Sequence, residues 1–287
     1  MHNRLQRFFI RLYFWLTSHI FPKLAVYSAH KLFHYPINTK RKNRNEVPLP
    51  APEHFTIALY EGIELQGYRW GEGTHPKVLL VHGWSTTSQS MTHFTDALLK
   101  ANYQVISYDA LRHGDSNGSF SDLASWADSV RAVVAEIGEV ECIIAHSFGG
   151  AAVTVASKLG LKTKKLALIA PIHDIASVAD DFAKRLGISH HIVEAMRAYT
   201  WNHNKTHFEK YGKNWQDILD SPFHVPTLIY HDTQDKEIPI FHSEHLCQKW
   251  TWAELRPTTG LGHRTILDDH SVVKGVVKFI QASKGHL

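Results

Sequence analysis

The sequence predicts an α/β fold in which a mainly parallel sheet is covered by helices on both faces. Short apolar runs recur along the chain, among them KVLLVHG (77–83), YQVISYDA (103–110) and ECIIAH (141–146). Segments with helical periodicity, such as residues 121–138, alternate with these runs. Because strands buried on both faces have continuous apolar sequences, the alternation indicates parallel strands joined by helical crossovers.

The remaining elements follow the same order. HFTIAL (54–59) and IELQGYRW (63–70), joined by Glu61-Gly62, predict a β-hairpin ahead of the first buried strand. Residues 88–101 carry a helical pattern, and FGGAAVTVASKLG (148–160) predicts a helix that Gly160 ends. Three further strands are predicted at KKLALIAP, PTLIYHD and WAELRPT. Two further helices are predicted at SEHLCQKW and at residues 269–282.

The alternation is interrupted once, between KKLALIAP and PTLIYHD. Residues 173–222 look mostly helical and carry many bulky side chains, namely Phe182, Met196, Tyr199, Trp201, Phe208, Tyr211 and Trp215. Connections in α/β folds are normally far shorter, so we expect an inserted helical cap here. TKRKNRNEVPLPAP (39–52) is typical of a linker. The expected domains are an N-terminal extension and linker over 1–52 and one globular domain over 53–287, with the cap at about 173–222.

The composition is that of a globular protein, with 44% hydrophobic and 20% charged residues in a chain of 287. Its net charge of +4 is unevenly distributed, because residues 1–52 hold nine Lys or Arg and one acid, Glu46. The other residues hold 22 basic and 26 acidic side chains, a balance of −4, which argues against a nucleic-acid partner.

The two cysteines, Cys142 and Cys247, cannot form a disulfide framework. We therefore expect a cytoplasmic protein, either free or peripheral on the inner membrane face.

The segment NRLQRFFIRLYFWLTSHIF (3–21) predicts an amphipathic helix. Arg11 and His19 interrupt its apolar run, which is shorter than the ~20 residues of a membrane span. On a helical wheel one stripe holds Arg4, Arg7, Arg11 and Ser18, and the opposite side holds Leu5, Phe9, Leu12, Leu16 and Ile20. Two interpretations stay open for residues 1–40. The helix attaches to an anionic membrane, or its apolar face packs on the domain or on a second subunit.

Ser147 interrupts an apolar run at CIIAHSFGG (142–150) and is a candidate nucleophile. A serine hydroxyl reacts at neutral pH only when a base accepts its proton and an acid orients that base. Such a serine needs a tight strand-turn-helix with small residues two positions before and two after it. Ala145 and Gly149 occupy those positions, so alanine stands where glycine is usual and still meets the steric requirement.

Five ordered blocks resemble the α/β-hydrolase fold family. They are VLLVHGW (78–84), YDALRHGDSNG (108–118), AHSFGG (145–150), YHDTQDKEIP (230–239) and GLGH (260–263), and the resemblance covers about residues 54–285. It implies an α/β-hydrolase fold with a mostly parallel central sheet, helices on both faces and a helical cap.

The resemblance also implies roles for individual residues. Ser147 would be the nucleophile and His263 the general base. For the acid, Asp232 and Asp235 compete, and alignment on Ile238-Pro239 favours Asp235. The backbone N–H groups of Trp84 and Phe148 would form the oxyanion hole. His82 and Asp109 are expected to be structural supports.

The expected activity is hydrolysis of carboxylic esters with short to medium hydrophobic acyl groups, without a cofactor. Thioesterase, lactonase, carbon–carbon hydrolase and perhydrolase activities use the same triad and remain alternatives. A catalytically silent binding protein on the same fold is an alternative of a different class. Epoxide hydrolase and dehalogenase activities are disfavoured because they need an aspartate at the position of Ser147.

Histidine pairs at helical spacing could in principle bind a metal. They are His30 and His34, His203 and His207, and His242 and His245. No H-E-x-x-H motif and no neighbouring cysteine accompanies them, so the sequence favours surface or capping histidines over a zinc site.

Overall fold

The computed structural model describes residues 2–36, 48–118, 121–203, 209, 215–221 and 224–282. Residues 39–47 of the predicted linker lie outside the described residues, as do His207, Phe208 and Tyr211.

Eight strands form the sheet in the described part of the chain. They are β1 (Glu53–Tyr60), β2 (Ile63–Trp70), β3 (Lys77–Val81), β4 (Gln104–Tyr108), β5 (Cys142–His146), β6 (Lys165–Ile169), β7 (Thr227–Asp232) and β8 (Ala253–Thr258). Their order across the sheet is β1-β2-β4-β3-β5-β6-β7-β8. The pairs β1–β2 and β2–β4 are antiparallel, and every pair from β4–β3 to β7–β8 is parallel. The predicted hairpin and the mainly parallel sheet are confirmed.

The described helices fill the intervals between strands. They are α1 (His2–Ile20), α2 (Pro22–His34), α3 (Thr92–Lys100), α4 (Leu123–Ile137), α5 (Phe148–Lys158), α6 (Ile175–Leu186), α7 (His190–His203), α8 (Trp215–Asp220), α9 (Phe241–Lys249), α10 (Gly262–Thr265) and α11 (His270–Gln281). A 3-10 turn at Ser88–Met91 precedes α3. None of these helices combines the length and the apolar character needed to cross a bilayer.

Local sequence signals set several helix ends. The Asp122 carboxylate accepts a hydrogen bond from the Ser125 N–H at 2.7 Å, and the Ser125 hydroxyl accepts one from the Asp122 N–H at 2.9 Å. This reciprocal pair satisfies two N–H groups that a helix start leaves open, and α4 therefore begins at Leu123. Asp269 caps α11 in a related way, accepting from Ser271 and Val272.

Helices cover both faces of the sheet. On one face, Phe94 and Leu98 of α3 and Val276 of α11 share a buried core with strand residues such as Leu80 and Ile144. On the other face α5 lies close to the strands, since a Cβ added at Gly149 would be 2.9 Å from Val81 Cγ1. The prediction of helices on both faces is confirmed.

The chain divides into two compact units, one made of residues 37–173 and 216–287 and the other of residues 1–36 and 174–215. The second unit has its own core, which joins α1 and α2 to α6 and α7 through Phe14, Ala25, Ala29, Ala179, Ala183, Ile188, Ile192, Val193 and Met196. Alanines on α2 and α6 permit close helix packing. The N-terminal extension, expected to be separate from the insertion, thus forms one compact unit with it, because α1 and α2 group with α6 and α7.

Candidate active site

Ser147 lies in the sharp turn between β5 and α5. Its backbone has φ +53° and ψ −121°, a conformation that side-chain-bearing residues rarely adopt. Neighbouring hydrogen bonds keep Ser147 in this strained conformation. The Ser147 N–H donates to the Ile169 carbonyl at 2.9 Å, and the Ser147 carbonyl accepts from the Gly150 N–H at 2.9 Å. Strained residues of this kind concentrate at functional sites.

Small residues around Ser147 make the turn possible. A Cβ added at Gly149 would lie 2.4 Å from the His82 carbonyl oxygen, and one added at Gly83 would lie 2.8 Å from His146 Nδ1. Both positions therefore exclude a side chain. Ala145 is fully buried in the sheet, where it pairs with Val81 on one side and Leu168 on the other, so the structure accommodates alanine at the position where glycine is usual.

The structure brings Ser147, His263 and Asp235 together. The Ser147 hydroxyl lies 2.9 Å from His263 Nε2, and His263 Nδ1 lies 2.7 Å from Asp235 Oδ2. A carboxylate can only accept, so Nδ1 carries the proton and Nε2 is left to accept from the hydroxyl. All three residues are buried, with exposed fractions of 5%, 9% and 8% for Ser147, His263 and Asp235. The arrangement can transfer the serine proton to a histidine that a carboxylate orients.

Asp235 is held as an anion by its surroundings. Burial alone would raise its pKa, but hydrogen bonds from His231 and His263 and from the Ile238 N–H outweigh burial and lower the pKa below its usual range. The Glu237 and Ile238 N–H groups donate to Oδ1 at 2.8 Å and 2.9 Å. Its oxygens are thus fixed, and Oδ2 faces the His263 ring.

Asp232 accepts no hydrogen bond from His263 and instead organises the neighbouring loops. One oxygen accepts from the Gln234 N–H at 3.0 Å, and the other accepts from the Thr258 hydroxyl and the Leu261 N–H, both at 2.9 Å. These bonds tie the end of β7 to the loop that precedes α10, the helix that carries His263. Of the two competing acids, the structure places Asp235 at the histidine.

Two buried histidines that the sequence analysis did not single out support this arrangement. His146 Nε2 donates to the His263 carbonyl oxygen at 3.0 Å, and its ring centroid lies 4.7 Å from that of His263. His231 Nε2 donates to the Ile238 carbonyl at 2.9 Å and lies 3.5 Å from Asp235 Oδ2. No periodic signal marks either residue; only their proximity in sequence to Ser147 and Asp235 could have drawn attention to them.

His146 is neutral in this environment. Burial lowers its pKa well below the usual value, and the neighbouring His263 ring lowers it further. Because Nε2 carries the proton that it donates to His263, Nδ1 is unprotonated. His146 therefore adds no positive charge beside the His263 ring.

The peptide bond between Gly83 and Trp84 is fixed on its carbonyl side. The Gly83 oxygen accepts from His82 Nδ1 and from the Thr86 hydroxyl, both at 2.8 Å, and from the Thr86 N–H at 3.3 Å. In a planar trans peptide the N–H points opposite to the carbonyl, so these three donors also fix the direction of the Trp84 N–H. This is the first of the two N–H groups that the resemblance assigns to an oxyanion hole.

His82 and His113 hold the loop around Trp84. The Ala110 N–H donates to His82 Nε2 at 2.9 Å, which leaves Nδ1 to donate to the Gly83 carbonyl. The Ser85 N–H donates to His113 Nε2 at 3.1 Å. Burial, followed by the nearby His82 ring, lowers the pKa of His113 to about 3, so the ring is neutral and can accept this bond.

Aromatic rings surround the same loop. The Trp84 ring packs edge-to-face on Phe148 with centroids 5.3 Å apart, and both contact the buried Trp126 ring, at 6.1 Å and 5.1 Å. Trp84 and Phe148 are only partly buried. Trp84 and Phe148, whose N–H groups the resemblance assigns to the oxyanion hole, thus also present apolar side chains at the site.

One group in the described part of the chain has the composition of a metal site. Asp220 Oδ1 accepts from His173 Nε2 at 2.8 Å and from His245 Nε2 at 3.2 Å. The two rings are tilted by 31° with centroids 3.9 Å apart, and each directs its Nε2 at the same carboxylate oxygen. This is the geometry of a hydrogen-bonded triplet.

Three of the paired histidines, expected to be surface or capping residues, do not lie at the surface. His30, His34 and His242 are buried, with exposed fractions of 6%, 8% and 1%. His30 Nδ1 is hydrogen-bonded to the Thr200 hydroxyl, and His34 Nδ1 donates to the His30 carbonyl. Hydrogen bonding permits their burial, which a spacing pattern does not reveal.

Residues 78–274 match the sequence model of the alpha/beta hydrolase family, which covers most of the chain. A curated relative, the bifunctional esterase/perhydrolase DCH of Acinetobacter calcoaceticus, is 29% identical over 97 residues. That match covers 33% of this chain and 35% of the relative, so the chain spans only about a third of the relative's length.

Solved structures share the fold. The esterase RhEst1 from Rhodococcus sp. ECU1013 is 19% identical, with a TM-score of 0.60 and coverage of 80% of this chain and 98% of the esterase. A bromoperoxidase from Bacillus anthracis is 17% identical, with a TM-score of 0.60 and coverage of 80% and 100%. At such identities the likeness concerns the fold alone.

Proposed function

Because the chain belongs to the α/β-hydrolase family, we propose that it is a serine hydrolase that cleaves carboxylic esters through an acyl-enzyme on Ser147. The observation that carries the proposal is the continuous hydrogen-bonded series from the Ser147 hydroxyl through His263 to Asp235, with distances of 2.9 Å and 2.7 Å. A silent binding protein has no need of this series, since its energetic cost includes a strained serine and a buried carboxylate.

Acylation begins when Ser147 Oγ attacks the ester carbonyl carbon and its proton passes to His263 Nε2. The imidazolium that forms is stabilised by the Asp235 carboxylate. The carbonyl oxygen becomes an oxyanion that accepts hydrogen bonds from the Trp84 and Phe148 N–H groups. The tetrahedral intermediate then collapses, the alcohol leaves with the proton from His263, and an acyl group remains on Ser147.

Deacylation repeats these steps with water as the nucleophile. His263 Nε2 takes a proton from water, hydroxide adds to the acyl carbon, and the same two N–H groups stabilise the oxyanion. Collapse releases the carboxylic acid and returns the proton to Ser147 Oγ. No cofactor takes part in the proposed steps.

The two exposed aromatic surfaces favour a hydrophobic acyl group. Trp84 and Phe148 are partly buried, pack edge-to-face on each other and contact Trp126, so the exposed parts of their rings can accept apolar carbon atoms beside the reacting carbonyl. We therefore propose short to medium hydrophobic acyl esters as substrates.

A panel of p-nitrophenyl esters from acetate to decanoate tests the proposal. We expect turnover that falls by roughly a thousand-fold or more in Ser147→Ala. Ser157→Ala is a matched control in α5, the helix that follows Ser147, because the Ser157 hydroxyl donates to the Thr154 carbonyl of that helix. Absence of turnover at every chain length, or equal loss in both variants, would overturn the proposal.

Perhydrolysis is a second candidate, favoured by the matched segment of the esterase/perhydrolase of Acinetobacter calcoaceticus. Here hydrogen peroxide replaces water in deacylation, the acyl–oxygen bond to Ser147 breaks, and a peracid and the free serine result. Peracid formation from an ester and hydrogen peroxide, absent in Ser147→Ala, is the expected result. Formation of the carboxylic acid alone would exclude this activity.

A further inference from the structure

The surface of α1 carries an unusually large number of exposed apolar side chains. The exposed fractions on this helix are 61% for Leu5, 59% for Phe8, 57% for Phe9, 39% for Leu12, 62% for Trp15, 42% for Leu16 and 60% for Ile20. Phe21 and Leu24, at the turn into α2, are also exposed, at 61% and 45%. Contiguous apolar surface of this kind marks an interaction site.

The core of the helical unit uses a different side of α1. Phe14 is fully buried in that core, Thr17 is 8% exposed, and Ile10 packs against the same cluster. At about 100° per residue, these three positions lie nearly opposite Phe8, Leu12 and Trp15. Packing within the unit therefore holds α1 in place and leaves its wide apolar face outside the unit's core.

Positive charge runs along the edge of this face. Arg4, Arg7 and Arg11 recur at the spacing of one helical stripe, and Arg7 and Arg11 are exposed. Lys23 and Lys31 follow on α2, and both are exposed. The first acidic residue of the chain is Glu46, so residues 1–36 carry basic side chains without any Asp or Glu.

We propose that α1 lies in the interfacial plane of an anionic lipid bilayer, with Leu5, Phe8, Leu12, Trp15 and Leu16 inserted at the level of the acyl chains and the arginines at the headgroups. An amphipathic helix with aromatic and aliphatic residues on one side and Arg beside them binds such interfaces. Trp15 lies at the edge of the face that borders the arginine stripe, and Trp is favoured at the boundary between headgroups and acyl chains.

Charge favours a lipid surface over a second copy of the chain. A symmetric contact through α1 would bring two arginine-edged helices together, and residues 1–36 hold no acid to compensate them. An anionic bilayer supplies both the apolar layer and the opposite charge. The proposal is independent of the proposed esterase activity, because it concerns α1 and not the site at Ser147.

Vesicle flotation with the full chain tests the inference. We expect the protein to float with vesicles of phosphatidylcholine containing about 30% phosphatidylglycerol, and much less with phosphatidylcholine alone or at about 0.5 M salt. Trp15→Glu should weaken binding at least about ten-fold, because it places a charge in the apolar face. Arg7→Glu should weaken binding to the anionic vesicles only.

A matched control is available in the other unit. Trp252 is 55% exposed, so Trp252→Glu makes the same substitution at an exposed tryptophan that is not part of α1. This variant should float like the wild type, and circular dichroism should show both variants folded. Equal flotation of the Trp15→Glu and wild-type proteins would overturn the proposal. The proposal would also be overturned if the wild-type protein did not bind vesicles and instead formed a dimer that Trp15→Glu dissociates.

Discussion

His146 donates a hydrogen bond from Nε2 to the main-chain carbonyl of His263, across 3.0 Å. The residue immediately before the proposed nucleophile therefore positions the backbone of the proposed base. His146 is buried and neutral, so it acts through geometry and does not repel the imidazolium that forms on His263 during the reaction.

Substitution of His146 tests this positioning. We expect His146→Leu to lower kcat about ten-fold with KM nearly unchanged, because a displaced His263 affects the chemical step more than substrate binding. His146→Gln, which keeps an N–H donor, should recover part of the loss. Steady-state kinetics on a p-nitrophenyl ester measure both variants. An equal effect of Leu and Gln, or a change confined to KM, would contradict the positioning role.

Substitution of Asp235 should lower catalysis, whereas substitution of Asp232 should lower stability. Asp235→Asn removes the charge that orients His263, and we expect kcat to fall by roughly 10³ to 10⁴. Asp232→Asn weakens the bonds to Thr258 and Leu261. We expect it to cost about 1–3 kcal/mol in the free energy of unfolding while kcat stays within about ten-fold. Kinetics and urea unfolding of both variants check this, and the reverse pattern would show that Asp232 is the catalytic acid.

The Thr86 hydroxyl tests the direction of the Trp84 N–H. Thr86→Val removes one of the donors to the Gly83 carbonyl, so the peptide is less firmly oriented towards the oxyanion. We expect kcat to fall about ten-fold, about 1.4 kcal/mol of transition-state stabilisation, with little change in KM. Thr87→Val is the matched control, because the Thr87 side chain makes no cap hydrogen bond. Equal kcat values for the two variants would remove Thr86 from this role.

The architecture was largely predictable from the sequence, because buried parallel strands leave continuous apolar runs that helical periods separate. The proximity of Asp235 to His263 was also predictable, from the Ile238-Pro239 ending that distinguishes it from Asp232. The supporting roles of His146 and His231 were not, since single histidines in a strand leave no periodic signal. Nor was the shared core of α1, α2, α6 and α7, which depends on alanines such as Ala29 and Ala183 that are far apart in sequence.

Buried neutral histidines should make the protein sensitive to mild acid. The pKa of His113 is lowered to about 3 in the folded state, whereas an unfolded histidine has a pKa near ~6.5. Between these values the unfolded chain binds more protons, so stability falls as pH drops below ~6.5, by about 2 kcal/mol at about pH 5 for this residue alone. His146 acts in the same direction.

Urea midpoints measured between about pH 7.5 and about pH 5 check this dependence. The midpoint should fall with pH in the wild type, and the slope should be smaller in His113→Gln, which cannot take up the proton. A wild-type midpoint that stays constant over this range, or a slope unchanged in the variant, would contradict the account.

Fluorophosphonate labelling followed by peptide mapping is the most direct test of the central claim that His263 and Asp235 activate Ser147. The account predicts a single phosphonate adduct on the peptide containing Ser147, absent in Ser147→Ala and formed much more slowly in His263→Ala. A folded wild-type protein that does not react, or an adduct on another residue, would contradict it.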